Sequence, residues 1–150
     1  GYRKGNRMKL STRGKYGLYA MYYLARHRDD GPQSLQSIAS VGIPKQYLEQ
    51  LLGNLRRAGL VGSVRGSQGG YRIAKPPGEI TVLDVIDAME GPLELSDCMA
   101  DENVCDRSLV CPVRRVWHRL TDSINRELAG ITLDDMFKQP QECEAGRNDG

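Results

Sequence analysis

The stretch Pro44–Ala74, PKQYLEQLLGNLRRAGLVGSVRGSQGGYRIA, changes periodicity partway along, and that change decides the fold. Its first part places Tyr47, Leu48, Leu51, Leu52 and Leu55 at spacings that line one side of a helix. Pro44 suits the first turn of that helix, where its missing N–H would have no intrahelical acceptor anyway. Arg56 and Arg57 complement the negative end of the helix dipole, and Gly59 follows as the terminating residue. The apolar stripe leaves Lys45, Gln46, Glu49 and Gln50 on the outer face. The second part reads as two short strands, Leu60–Val64 and Tyr71–Ala74, joined by Arg65-Gly66-Ser67-Gln68-Gly69-Gly70. An arginine therefore sits on a glycine-rich hairpin tip directly after a helix.

Upstream, Tyr16, Tyr19, Ala20, Tyr23 and Leu24 recur at three and four residues and predict a helix over Thr12–Arg26, ended by Asp29-Asp30-Gly31-Pro32. Ser34 can cap a short helix carrying Leu35, Ile38 and Ala39, which Gly42 breaks. Downstream, Pro76-Pro77-Gly78 reads as a linker. Thr81 with Asp84 resembles a capping box, opening a helix that carries Val82, Val85, Ile86 and Met89 and stops at Gly91-Pro92. Residues 93–111 have almost no periodicity. Cys111-Pro112 then reads as the start of a long helix, along which Val113, Trp117, Leu120, Ile124 and Leu128 form a coiled-coil-like seam. Thr132 and Asp135 can cap a last short helix holding Leu133, Met136 and Phe137. Four regions result: an extension (1–7), a helix-and-hairpin region (8–76), a cysteine-loop and long-helix region (77–137) and an expected disordered tail (138–150).

The 150 residues carry a net charge of only +2, which conceals a polarity. Residues 1–76 hold fourteen Lys or Arg against three acids, a net of +11, whereas residues 77–150 hold seven against sixteen, a net of −9. A basic half is the electrostatic footprint of a nucleic-acid surface, because each neutralised phosphate releases counterions. No apolar run approaches the roughly 18–20 residues that cross a bilayer, so a soluble, cytoplasmic chain is expected, with no membrane partner. With two histidines and no H-E-x-x-H, G-x-S-x-G, P-loop or dinucleotide fingerprint, nothing assembles a catalytic constellation.

Three helices followed by a two-stranded hairpin, all in the basic half, is the element order of a winged helix-turn-helix, whose third helix enters the major groove. The expected fold is mainly α with a small β-hairpin wing, followed by a long dimerisation helix. Gln46 and Gln50 suit bidentate pairing with adenine, and Glu49 suits acceptance from cytosine N4. Arg65 suits the minor groove, where negative potential is greatest over narrow A/T-rich stretches. Lys45 joins the outer face of the reading helix. Lys9, Arg13, Lys15, Arg56, Arg57 and Arg72 are assigned to phosphate contacts or solubility.

Cys98, Cys105 and Cys111 follow C-x6-C-x5-C in the aperiodic segment. A helix N-terminus at Cys111 would lower its thiol pKa and favour the liganding thiolate. Three thiolates suit a [2Fe-2S] cluster, which needs a fourth ligand, or a zinc ion with a fourth donor. Three reduced, unligated cysteines are the alternative. The fourth cysteine, Cys143, falls in the tail and is read as incidental.

From Met8 to about Gln139 the chain resembles the IscR-type, or Rrf2, family of winged-helix iron-sulfur cluster regulators. The resemblance rests on MKLSTRGKYGLYAM (8–21), YLEQLLGNLRRAGLVGSVRGSQGGY (47–71), EITVLDVIDAMEG (79–91) and the three-cysteine loop. It implies a homodimeric activator or repressor of a roughly palindromic double-stranded DNA operator, its long helix crossing the partner's and its DNA binding dependent on a cluster. It further implies that Gln46, Glu49 and Gln50 read bases, that Arg65 is the wing arginine, and that Cys98, Cys105 and Cys111 hold the cluster. One position departs: the family pattern has a histidine three residues after the third cysteine, where this chain has Arg114, which cannot ligate a metal. His118 lies seven helical residues beyond Cys111, a rise of about 10 Å, too far to share one small cluster. The fourth ligand is therefore open, the nearby oxygens of Asp97, Asp101, Glu102 and Asp106 being candidates, and the first cysteine gap is one residue longer than in the family pattern. That keeps a second expectation in play, a cluster-free regulator responding to thiol redox state, a small molecule or a partner protein.

Overall fold

A computed structural model describes residues 12–92 and 107–138, with the backbone alone over 107–111. In chain order it holds α1 (Thr12–Arg26), α2 (Leu35–Ala39), α3 (Lys45–Arg57), β1 (Val61–Val64), β2 (Gly70–Ile73) and a 3-10 turn (Pro77–Glu79). Then come α4 (Val82–Glu90), α5 (Arg107–Ala129) and α6 (Leu133–Phe137). The order of α1 to β2 is that of a winged helix, as the sequence predicts.

The leucines at 48, 51, 52 and 55 are buried to 1% exposure or less and anchor α3 in the core. Pro44 is its N-cap rather than part of the first turn, its carbonyl accepting from the N–H groups of Tyr47 and Leu48. At the other end Gly59, at φ +80°, reverses the chain. The Gly59 N–H donates to Arg56 O at 2.9 Å and the Leu60 N–H to Leu55 O at 3.0 Å, the paired bonds of a Schellman cap. Leu60 thus enters the core at once and launches β1, which pairs antiparallel with β2 in the register Val61 to Ile73 and Val64 to Gly70.

α1 buries Ala20 and Leu24 of the predicted face and packs Tyr16 and Tyr23 against the core, but Gly14 and Gly17 join that face and Tyr19 does not. Gly14, Gly17, Ala20, Met21, Leu24 and Ala25 face inward, while Tyr19 is 41% exposed. The cause is α4, which lies so close that a Cβ on Gly17 would stand 2.6 Å from Met89 Cγ and 3.3 Å from Val85 Cγ1. The tyrosines instead line the flanks of the helix, Tyr16 meeting Tyr47 edge-on at 5.6 Å.

The Pro76-Pro77-Gly78 stretch is not a free linker. Pro77 is buried in the 3-10 turn, and Ile80, fully buried, joins the same core cluster as α1, α3, Val85, Met89 and Leu133. Both capping boxes form. Thr81 Oγ1 accepts from Asp84 N–H while Asp84 Oδ2 accepts from Thr81 N–H, each at 3.0 Å, and Thr132 and Asp135 repeat the arrangement. The two caps lie side by side, with Val82 N–H donating to Ile131 O at 2.8 Å and Leu133 N–H to Ile80 O at 2.9 Å. That clasp brings Phe137 of α6 to 5.2 Å from the Tyr22 ring of α1. Lys138 closes α6 as its C-cap; positions 139–150, like 1–11, lie outside the described residues.

α5 starts at Arg107, not at Cys111, so Pro112 lies inside it. Cys111 is consequently one turn into the helix, and the helix-terminus argument for its thiolate does not apply. The apolar seam is partly open: Val113 and Leu120 are 49% and 41% exposed, with Val116 beside them at 53%, whereas Trp117, Ile124 and Leu128 are half-buried.

Two stability predictions follow from this packing. Gly17→Val forces the α1–α4 contact apart and should cost roughly 1–3 kcal/mol in urea unfolding, whereas Gly53→Ala, whose Cβ meets only Arg57 Nη1 at 3.5 Å, should gain up to about 1 kcal/mol from helix propensity. Hydrogen bonds from the Thr132 backbone and hydroxyl hold the Asp135 carboxyl below the usual carboxylate range. A folded pKa below the unfolded one gives a contribution that is present above the unfolded value and lost as pH falls through the folded one. The stability gap between wild type and Asp135→Ala should therefore stay constant from neutral pH down to about 5 and close below about 4, read by thermal unfolding at each pH.

Candidate nucleic-acid interface

Because the leucine stripe fixes the rotation of α3, Lys45, Gln46, Glu49 and Gln50 stand outward on its first two turns, all four exposed. None of the four side chains is engaged by another described residue in a hydrogen bond or ion pair. Their donors and acceptors are thus free for base edges and phosphates. A cleft between the starts of α2 and α3 is lined by Ser34, Leu35, Gln36, Lys45, Gln46 and Glu49. Ser34 and Gln36 join the reading face only through the packing of α2 on α3, which no pattern within either segment signals.

The wing follows directly. Arg65 is exposed at the hairpin tip and likewise unengaged, beside Gly66 at φ +111°. Arg56 is not free: its Nη1 donates to Ser63 Oγ at 3.2 Å, tying the last turn of α3 to β1, and Arg57 pairs with Asn54 Oδ1. Arg72 is exposed on β2 opposite Gly62. Arg13, on α1, donates from Nη1 to Met89 O at 3.5 Å, at the end of α4, and so belongs to a different element pair from the α3 and wing residues. Lys15 lies over the Tyr19 ring at 5.7 Å.

β2 has a second partner that no periodicity could announce. Gln33, an isolated bridge residue two positions before α2, exchanges two backbone hydrogen bonds with Tyr71, both at 2.8 Å. The approach is close enough that a Cβ on Gly70, at φ +150°, would stand 2.3 Å from Gln33 O. Glycine is required there.

Cys98 and Cys105 lie outside the described residues, and Cys111 is placed by its backbone on α5. Arg114 stands one turn further along that helix and His118 two turns along, exposed. His27 is committed elsewhere, its Nδ1 2.9 Å from Asp30 Oδ2 and its ring 4.2 Å from that of Tyr23. Among the described residues no three His, Cys, Asp or Glu side chains gather as a metal site, and no helix is long and apolar enough to cross a membrane.

The family model described as Rrf2, iron-dependent transcriptional regulator, matches residues 10–139. The chain is 42% identical over 130 residues to the HTH-type transcriptional regulator CymR of Bacillus subtilis, covering 86% of this chain and 89% of that one. It is 40% identical over 131 residues to the regulator IscR of Aliivibrio salmonicida, covering 87% and 77%. Among solved structures, T. potens IscR superposes with a TM-score of 0.72 at 44% identity, over 91% of this chain and 90% of that one. The CymR structure, titled the global cysteine regulator of B. subtilis, gives 0.69 at 38% identity, over 87% and 96%. These relatives are named as regulators, not enzymes, and their fold is the one described above. A winged helix with an unengaged polar row on α3, matched along nearly its whole length by such proteins, places this chain in the Rrf2 family of transcriptional regulators.

Proposed function

We propose that the chain acts as a homodimer that reads a roughly palindromic operator, each copy placing α3 in the major groove and Arg65 of its wing in the minor groove. The observation that carries this reading is the unengaged row Lys45, Gln46, Glu49 and Gln50, with an equally unengaged arginine on the hairpin that follows. Gln46 and Gln50 offer the amide pair that matches adenine, Glu49 accepts from cytosine, and Lys45 neutralises phosphate. The partly open apolar face of α5, from Val113 to Leu120, supports pairing of two copies along that helix. Arg13, held at the end of α4, contributes at most to phosphate contact.

The signal we assign to Cys98, Cys105 and Cys111. Three thiolates suit iron by their softness, and a [2Fe-2S] cluster bound there would supply a redox- and iron-responsive group. Along the helix from Cys111, Arg114 has no lone pair to give and His118 is about 10 Å away. The residues therefore fit such a cluster only with one position open to a donor from elsewhere. A second reading, in which the same cysteines respond to thiol oxidation or the chain answers to a small molecule or partner without a cluster, is favoured by Arg114 and by the likeness to CymR.

DNA duplexes selected from a random pool should separate the roles on α3 and the wing. Arg65→Ala should lose about 5- to 100-fold on sites with A/T-rich flanks and little on G/C-flanked ones, Glu49→Ala should change the preferred bases without abolishing binding, and Lys45→Ala should weaken all sequences alike. Uniform losses for all three would sink the assignment. For the signal, anaerobic iron and sulfide loading of wild type and of the Cys98, Cys105, Cys111 triple-alanine variant is followed by visible absorption, iron content and DNA binding. Colour and altered DNA affinity in wild type only support the cluster; a colourless wild type whose DNA affinity changes on thiol oxidation supports the second reading.

A further inference from the structure

The Gln33 side chain is held at both ends. Its Oε1 accepts from the Tyr23 hydroxyl of α1 at 3.1 Å, and its Nε2 donates to Gly31 O at 3.1 Å. Its backbone, meanwhile, is the outer partner of β2 through the two bonds to Tyr71. The base of the hairpin is seated by the burial of Leu60 and Val61 and by Tyr71 and Ile73 packed on the core, and Arg56 bonds Ser63, whereas Val64 and everything to Gln68 is exposed. A two-stranded hairpin is marginal by itself, so the tilt of its exposed end is set by the last ties before the tip. We propose that Tyr23 and Gln33 are positioning residues of the wing, a pin from α1 that fixes the angle at which Arg65 is presented to DNA.

Leverage makes the pin matter. Ser63 and Tyr71 face each other in the register, so both ties lie two residues, roughly 7 Å, from Arg65, and a tilt of about 15° there displaces it by roughly 2 Å, beyond the tolerance of a hydrogen bond. The pin acts on one strand and the Arg56–Ser63 bond on the other, so loss of either lets the hairpin rock about the one that remains. This proposal rests on the reading of Arg65 as a minor-groove contact, and its test separates the two.

Tyr23→Phe deletes one hydroxyl and keeps the half-buried ring; Gln33→Leu keeps bulk and deletes both amide bonds. In either variant the Tyr71 amide should exchange with deuterium about three- to tenfold faster, and affinity for an A/T-flanked operator should fall by about the same factor. The affinity loss should vanish in an Arg65→Ala background, as a double-mutant cycle requires of coupled residues. Unchanged Tyr71 exchange overturns the pin, and an equal affinity loss in both backgrounds overturns its link to Arg65. If Arg65→Ala itself binds A/T-flanked DNA at full strength, the minor-groove reading fails with it, and Tyr71 exchange still decides whether Tyr23 and Gln33 hold the wing.

Discussion

The structure depends first on the burial of Leu48, Leu51, Leu52 and Leu55. Four leucines on one side of thirteen helical residues leave α3 a single rotation about its axis, and rotation is what decides which side chains meet solvent. Everything used for recognition inherits its orientation from that apolar seating. The Schellman turn at Gly59 then passes the same constraint to the wing, because Leu60 must enter the core one residue later.

The acidic half is built into this core rather than appended to it. Gly14 and Gly17 let α4 lie directly against α1, and the paired caps at Thr81 and Thr132 bring the start of α6 back beside the start of α4. The cysteine segment is therefore bracketed by two elements of fixed geometry, α4 packed on α1 and α5 with its open apolar face.

Much of the fold was legible because it is local. The leucine stripe, the terminating glycine and both Thr-Asp capping boxes are patterns within a few residues, and each formed as read; the two strands formed within one residue of the predicted Leu60–Val64 and Tyr71–Ala74, as Val61–Val64 and Gly70–Ile73. The misreadings share a cause as well. On α1, Ala20 and Leu24 are buried as their spacing predicts, but Gly14 and Gly17 carry no hydropathy signal, and it is glycines that a close helix neighbour selects. Pro112 was placed at a helix start because proline is commonest there, although Arg107 begins the helix five residues earlier.

The sequence by itself determined the kinds and order of the elements, the outward row on α3 and the arginine on the wing, since these follow from periodicity and turn chemistry inside single segments. Tertiary structure alone decided that Gly14 and Gly17 of α1 lie buried under α4, where Arg13 is spent, and that Gln33 closes on Tyr71 and Tyr23. Those outcomes depend on contacts between residues far apart in the chain, and a single residue such as Gln33 or Gly17 carries no period by which its distant partner could be read.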